Sequence, residues 1–214
     1  MEEKDVKRLL DILYGMVDEA KSAAFSPDKC VINRDEVLDL LDEIRGQLSR
    51  QDAALMDQLL EGYDPEHLDE DFYRRILHHR NRFLRDWFRF DLGLRNATVA
   101  FLNDSLARPE GTDMIRLEER ETEEFDEAEA AQNVLNCGDI LRRERGLDDL
   151  RWRKIDDLTI LDDFDIEAIL GYVAKLKIID RWLQLDPDSG RAFFRRLVDD
   201  IQSTYENKKQ TIAI

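Results

Sequence analysis

Apolar residues recur at helical spacing along most of the chain, and the longest such pattern covers residues 69–106. On a wheel at 100° per residue, its large apolar side chains fall within roughly half of the circumference. The stretch contains no proline, and its one glycine is Gly93. We therefore predict one continuous central helix, roughly 55 Å long at 1.5 Å per residue. Its central apolar stripe comprises Phe72, Ile76, Phe83, Trp87, Phe90, Leu94, Ala97 and Phe101, with Leu77, Leu84, Phe88, Val99 and Leu102 to one side.

Shorter amphipathic segments precede this helix. Residues 3–24 carry one apolar face, and Asn33 stands where it can cap a second helix, with Glu36 at the distance of a capping box. These two helices predict an N-terminal hairpin. The fold class that follows is all-α, an elongated helical bundle around one long central helix.

The C-terminal third shows the same periodicity. The pattern predicts helices over residues 134–145 and 147–161, separated near Gly146, and a further helix that Asp165 caps. A last helix begins at Asp186, where a proline follows the cap. The inner face of that last helix carries Phe193, Phe194, Leu197, Val198 and Ile201.

The predicted organisation has five parts. Between the central helix and the C-terminal helices, residues 118–129 are mostly Glu and Asp, with Arg120 the only basic residue. This run fits either a flexible acidic connector or the solvated start of a helix. The parts are an N-terminal hairpin region (1–62), the central helix (63–108), an acidic connector (109–130), a C-terminal helical bundle (131–206) and a frayed tail (207–214).

Charge narrows the range of partners. The chain has 49 acidic and 32 basic residues, a net charge of −17, which repels nucleic-acid phosphates and anionic lipid head groups. We expect no nucleic-acid partner, and either a basic protein partner or simply a solvated acidic surface. No apolar run approaches the roughly 18 residues that span a bilayer, so we expect no direct membrane insertion. Cys30 and Cys137 form no CxxC pair, which favours a reducing, cytoplasmic location, peripheral at the inner membrane only through partner subunits.

Residue patterns for catalysis or metal binding do not occur at the required spacing. His78 and His79 are adjacent and point about 100° apart on a helix, whereas a zinc pair needs i, i+4 spacing. Aspartates cluster at 148–149, 156–157 and 162–165, but the DDxxD pattern of magnesium-dependent prenyl transfer fails at 156–157 and at 162–163. Helix capping and first-turn acids that suit the helix dipole explain these clusters better. We predict no catalytic, cofactor or metal residues and no enzyme activity. A deep pocket with converging Asp, Glu or His side chains would instead favour an all-helical enzyme.

One basic feature stands out in this acidic chain. On the side of the central helix opposite its apolar stripe, Arg75, His78, Arg82, Arg85 and Arg89 follow one another at steps of 3, 4, 3 and 4. These five residues are called the arginine ridge below. The ridge either pairs with acidic helices of the same chain or docks an acidic partner, and it is our candidate for a partner-docking site.

Several segments resemble an uncharacterised bacterial family whose genes lie in V/A-type ATPase operons. The segments are FYRRIL over residues 72–77, NRFLRDWFRFDLGLRNA over 81–97, ILRRERGLDDLRWRKIDDLT over 140–159, FDIEAIL over 164–170, IDRWLQL over 179–185 and FRRLVDD over 194–200. The resemblance implies a non-catalytic structural or coupling subunit, similar in role to the stalk component known as C or d, which links the central shaft to the membrane ring. Its partners would be other subunits of the rotary ATPase stalk or ring. The alternative is a helical adaptor or regulator of an unrelated cytoplasmic assembly.

Overall fold

The computed structural model describes residues 34–117, 125–160 and 165–184, and these residues form seven α-helices without a strand. The prediction of an all-α fold is therefore confirmed. The predicted helix over residues 3–24, the last helix from Asp186 and the tail all lie outside the described residues. The helices are α1 (Arg34–Gln47), α2 (Arg50–Glu61), α3 (Glu70–Leu77), α4 (Arg82–Ser105), α5 (Ala128–Leu135), α6 (Ile140–Thr159) and α7 (Ile166–Leu183).

Two helices, α4 and α7, lie at the centre of this arrangement. Helix α4 contacts α3, α5, α6 and α7, and helix α7 contacts α1, α2, α4 and α6. Twelve of the eighteen residues of α7 are buried, which is typical of a helix with neighbours on every side. The fold therefore has two central helices, whereas the sequence predicted one.

The predicted continuous helix over residues 69–106 is wrong, because the chain turns between α3 and α4. Phe72 and Phe88 pack edge to face with ring centroids 5.0 Å apart. On a straight helix these two residues would be about 24 Å apart. Helix α3 therefore folds back against α4 as a short helical hairpin.

The turn is caused by a local helix N-cap, which the spacing of apolar residues does not indicate. Asn81 has an extended backbone (φ −68°, ψ 125°), and its side chain accepts a hydrogen bond of 3.0 Å from the backbone N–H of Leu84. The Asn81 N–H in turn donates to Nδ1 of His79 at 3.1 Å. Asparagine is among the strongest N-cap residues, so this position ends one helix and starts the next.

Two glycines allow helices and side chains to approach closely. Helix α4 continues through Gly93, where an added Cβ would lie 2.4 Å from the ring of Phe125. Helix α6 likewise continues through Gly146, where an added Cβ would lie 2.7 Å from the side chain of Val134 on α5. The predicted break near Gly146 is therefore wrong, and the break lies instead between α5 and α6.

The relative directions of the helices follow from two pairs of contacts. The Lys154 ammonium lies 5.6 Å from the centre of the Phe90 ring, and the Arg143 guanidinium lies 4.7 Å from that of Phe101. Helices α4 and α6 are therefore antiparallel. Helices α6 and α7 are also antiparallel, because Lys175 pairs with Asp156 at 2.5 Å while Arg181 pairs with Glu144 at 2.9 Å. Among the described helices, none has the length and apolar character needed to cross a membrane.

Candidate functional site

The arginine ridge does not lie along one helix, because its members lie on two helices and the turn between them. Arg75 lies on α3, His78 lies in the turn, and the other three lie on α4. Arg75 pairs with Glu61 of α2 at 2.6 Å. Arg82 donates a hydrogen bond of 3.1 Å to the carbonyl of Leu158, near the C-terminus of α6, where a cation also suits the helix dipole.

The remaining ridge residues also have partners within the chain. The guanidinium groups of Arg85 and Arg89 contact the same Asp86 oxygen at 3.2 and 3.3 Å. Nδ1 of His78 lies 2.8 Å from the carbonyl oxygen of Arg74. These contacts favour internal pairing as the role of the ridge. Docking of an acidic partner stays a prediction.

A buried carboxylate on α6 is the centre of a second group of charges. The side chain of Asp148 is 2% exposed and lies in the middle of the helix, so its assignment to helix capping was wrong. It accepts hydrogen bonds from Arg151 at 2.8 Å, from the indole N–H of Trp182 at 2.6 Å and from Arg181. A carboxylate buried without such donors would be strongly destabilising. The three donors therefore hold Asp148, and two of them, Arg181 and Trp182, join α6 to α7.

A second buried carboxylate, Asp180, joins α7 to α1. Its side chain is 2% exposed and accepts hydrogen bonds of 2.9 Å each from Arg34, Lys177 and Gln184. Burial acts to raise the pKa of Asp180, but the hydrogen bonds from Lys177, Arg34 and Gln184 outweigh it, so the pKa lies below its ordinary value. Asp180 is therefore held as a carboxylate. Asp148, Asp180 and their charged donors Arg34, Arg151, Lys177 and Arg181 are called the charge cluster.

The charge cluster borders a cavity of about 510 Å³ that also contains Asp91. The Tyr73 hydroxyl donates to Asp91 at 2.7 Å, and the Tyr63 hydroxyl donates to the carbonyl of Ala174 at 3.4 Å. Burial, followed by the negative charge of Asp91, raises the pKa of both tyrosines. The two hydroxyls therefore stay protonated and act as hydrogen-bond donors.

Three aspartates thus converge on one cavity, which is the kind of feature that favours an enzyme. In the described structure, however, Asp148 and Asp180 each accept from two cations, and Asp91 accepts from a tyrosine. Each of the three aspartates thus accepts at least one hydrogen bond from another helix. Among the described residues, no group of three or more His, Cys, Asp or Glu side chains is arranged to hold a metal ion.

Sequence reasoning missed the charge cluster because its members are spread along the chain. Asp148 is 33 positions from Arg181, and Arg34 is 146 positions from Asp180. In the predicted helix over residues 147–161, Asp148 stood in the first turn, so the wrong break near Gly146 concealed its place in the middle of α6. Such a position predicts burial with a partner, but it does not identify the partner.

A second surface feature lies where the end of α4 meets the start of α6. Four large aliphatic side chains are exposed there: Leu102 (43%), Leu106 (64%), Ile140 (73%) and Leu141 (51%). The contact between Arg143 and the Phe101 ring shows that these two helix ends are neighbours. We call these four residues the aliphatic end. The sequence had placed Leu102 in the buried sector of the central helix, and this expectation was wrong.

The fold and the charge cluster define a helical domain in which buried carboxylates pair with cations of neighbouring helices. Residues 63–205 match the family described as "Protein of unknown function (DUF2764)", and the chain belongs to that family. The match contains α3 to α7, the aliphatic end and all of the charge cluster except Arg34. No curated protein and no solved structure matches the chain.

Proposed function

We propose that the chain is a non-catalytic structural or coupling subunit of a V/A-type ATPase, similar in role to the stalk component known as C or d. The observation that supports a structural role is the charge cluster, whose buried carboxylates each accept hydrogen bonds from a neighbouring helix as well as from their own. The assembly is suggested by the resemblance of residues 85–96 and 146–159 to proteins encoded in V/A-type ATPase operons.

A protein that couples moving parts has to keep its helices in fixed positions while its neighbours push on it. Asp148 and Asp180 fasten α7 to both α6 and α1. Lys154 pairs with Glu127 at 2.6 Å and fastens the start of α5 to α6. A buried polar network in which every member is satisfied makes a protein rigid and specifies one arrangement of its helices. Rigidity of this kind suits a part that transmits movement.

The direct test is affinity purification of the tagged, full-length chain from its native host. We expect subunits of the rotary ATPase stalk or ring to co-purify in constant proportion. Recovery of a different, unrelated assembly would support the alternative role as an adaptor and contradict the proposal. Recovery of the chain without any ATPase subunit would also contradict it.

The arginine ridge can be tested separately within the same purification. In the variant Arg85→Glu with Arg89→Glu, both partners of Asp86 are replaced, while Arg153→Glu changes an exposed arginine of α6 as a matched control. If the ridge docks a partner, the double variant loses the co-purifying subunits and unfolds at an unchanged denaturant concentration. If the ridge only pairs internally, the double variant is less stable than the control but keeps its partners.

A further inference from the structure

We infer that a groove along α4 binds a basic amphipathic helix of a partner protein. The groove has a volume of about 500 Å³ and is lined by α4, α6, the loop that follows α4 and the residues that lead into α5. This role does not depend on which assembly the chain belongs to, and so it goes beyond the proposed function. The other occupant that such a groove allows is a second copy of the chain.

The length and the floor of the groove fit a helix. The residues of α4 that line it extend from Asp86 to Ala100, which is about 21 Å along the helix axis. The floor contains the small side chains of Ala97 and Ala100, which leave room for the larger side chains of a partner. A partner helix of about four turns would match this length. Amphipathic helices are commonly bound with their apolar face in a groove of this kind.

The remaining lining provides apolar contacts for such a face. Met114 from the loop and Phe125 before α5 both line the groove, and the Phe125 ring lies 5.9 Å from the ring of Phe90. Leu158 of α6 lines it as well. Methionine adapts to different apolar partners, and aromatic rings supply a large contact area. The groove can therefore bury the apolar face of a helix.

The charges in the groove favour a basic partner over an acidic one. Three carboxylates line it, from Asp86, Asp126 and Glu127. Its two cations are already paired, because Lys154 contacts Glu127 at 2.6 Å and Arg89 contacts Asp86 at 3.3 Å. Asp126 is exposed and makes no ion pair in the described structure. A cation on a partner helix would therefore find an unpaired carboxylate there.

The sequence that joins two sides of the lining is acidic as well. Between Met114 and Phe125, residues 115–124 contain five glutamates and two arginines. The whole chain has a net charge of −17, so a second copy would be repelled and a basic helix would be attracted. Charge complementarity therefore selects the basic helix as the occupant.

Peptide binding to the full-length chain tests the inference. The probe is a fluorescein-labelled synthetic helix of about four turns, with leucines on one face and lysines on the other, followed by fluorescence anisotropy. Ala100→Trp fills the groove, whereas Ala130→Trp adds the same side chain at an exposed alanine of α5 outside the groove lining. We expect the Ala130 variant to bind like the unchanged chain and the Ala100 variant to bind on the order of tenfold more weakly.

The charge of the partner is tested with a second peptide and a second pair of variants. A peptide with the same leucines but with glutamates in place of the lysines should not bind. Asp126→Asn should weaken binding of the lysine peptide about threefold at low salt, and Asp157→Asn, at an exposed site on α6, should leave it unchanged.

Four results would overturn the inference. No binding of the lysine peptide would exclude the proposed occupant, and equal binding by the Ala100 and Ala130 variants would place the peptide elsewhere on the acidic surface. Equal binding of the lysine and glutamate peptides would exclude recognition of positive charge. A dimer in light scattering that Ala100→Trp alone converts to a monomer would identify a second copy as the occupant.

A blocking experiment keeps the test decisive if tryptophan disturbs the fold. In a background with Cys30→Ser and Cys137→Ser, the folded variant Ala100→Cys is coupled to pyrene maleimide, and Ala130→Cys is treated in the same way. Coupling follows folding, so the fold is already formed when the groove is filled. We expect coupling at position 100 to abolish peptide binding and coupling at position 130 to leave it unchanged. Binding that survives both couplings would contradict the inference.

Discussion

The two halves of α4 carry a similar apolar pattern but differ in what covers them. In the covered half, residues 82–94, Phe83, Trp87 and Phe90 are at most 3% exposed. In the open half, residues 95–105, the only buried residue is the polar Asn103. An apolar stripe therefore predicts a helix with a contact face, but it does not predict how far along the helix the neighbouring helices extend.

The loop that lies against the open half is held by polar groups. The Asn96 side chain donates to the carbonyl of Ile115 at 2.8 Å and accepts from its N–H at 3.0 Å. The Asn103 side chain donates to the carbonyl of Thr112 at 2.8 Å. Each such bond contributes about 1 kcal/mol, so this loop is fixed in place without covering the leucines beside it.

The largest expected effect compares one apolar truncation in each half of α4. Trp87→Ala should lower the free energy of unfolding by about 3–5 kcal/mol, because it leaves a large cavity in the core. Leu102→Ala should lower it by less than about 1 kcal/mol, since the leucine is already 43% exposed. Urea denaturation of both variants measures the difference. Equal losses would mean that the open half is covered in solution.

The next effect concerns the charge cluster beside the covered half. Asp148→Ala should cost about 3–5 kcal/mol, because Arg151, Arg181 and Trp182 lose their buried acceptor. The neighbouring change Asp149→Ala should cost no more than about 0.5 kcal/mol, because that side chain is less buried and joins no other helix in the described structure. If the two variants unfold at the same urea concentration, Asp148 does not hold α6 to α7.

A smaller effect is expected at the turn where the covered half begins. Asn81→Ala removes the cap of α4 and the bond of 2.9 Å to Glu167, and should cost about 1–2 kcal/mol. Asn81→Ser keeps a capping hydroxyl, so it should recover most of this loss. Thermal unfolding followed by circular dichroism separates the two variants. A serine variant as unstable as the alanine variant would show that the bond to Glu167 matters more than the cap.

The smallest expected effect is the contribution of Asp180 to the loss of stability at acid pH. Its pKa is lower in the folded chain than the value of about 3.9 expected for an unfolded aspartate. Its contribution to stability is therefore present above the unfolded pKa and is lost as the pH falls through the folded pKa. Between about pH 5 and pH 2, the stability of Asp180→Asn should depend less steeply on pH than that of the unchanged chain. If the stability of both proteins changed equally with pH, the lowered pKa of Asp180 would be contradicted.

Much of the local structure was readable from residue spacing. The apolar patterns predicted helices at the positions of α1 and α7, and Asp165 stands at the N-cap of α7 as predicted. They also predicted helical residues throughout α6, but with a break near Gly146 that the helix does not have. The turn at residues 78–81 was missed because the apolar residues before and after it keep the spacing of one continuous helix. The capping side chain of Asn81 was a local signal that could have revealed this turn.

The sequence by itself determined the helical class, most helix positions and the apolar face of each helix, because these depend on residues within a few turns of one another. The packing of the helices against one another decided that α3 folds back on α4, that Asp148 meets Arg181 and Trp182, and that the open half of α4 leaves Leu102 exposed. The physical reason is that spacing records the direction of a side chain around its own helix. Which helices meet, and which of their turns are in contact, depends on how all of their faces pack together.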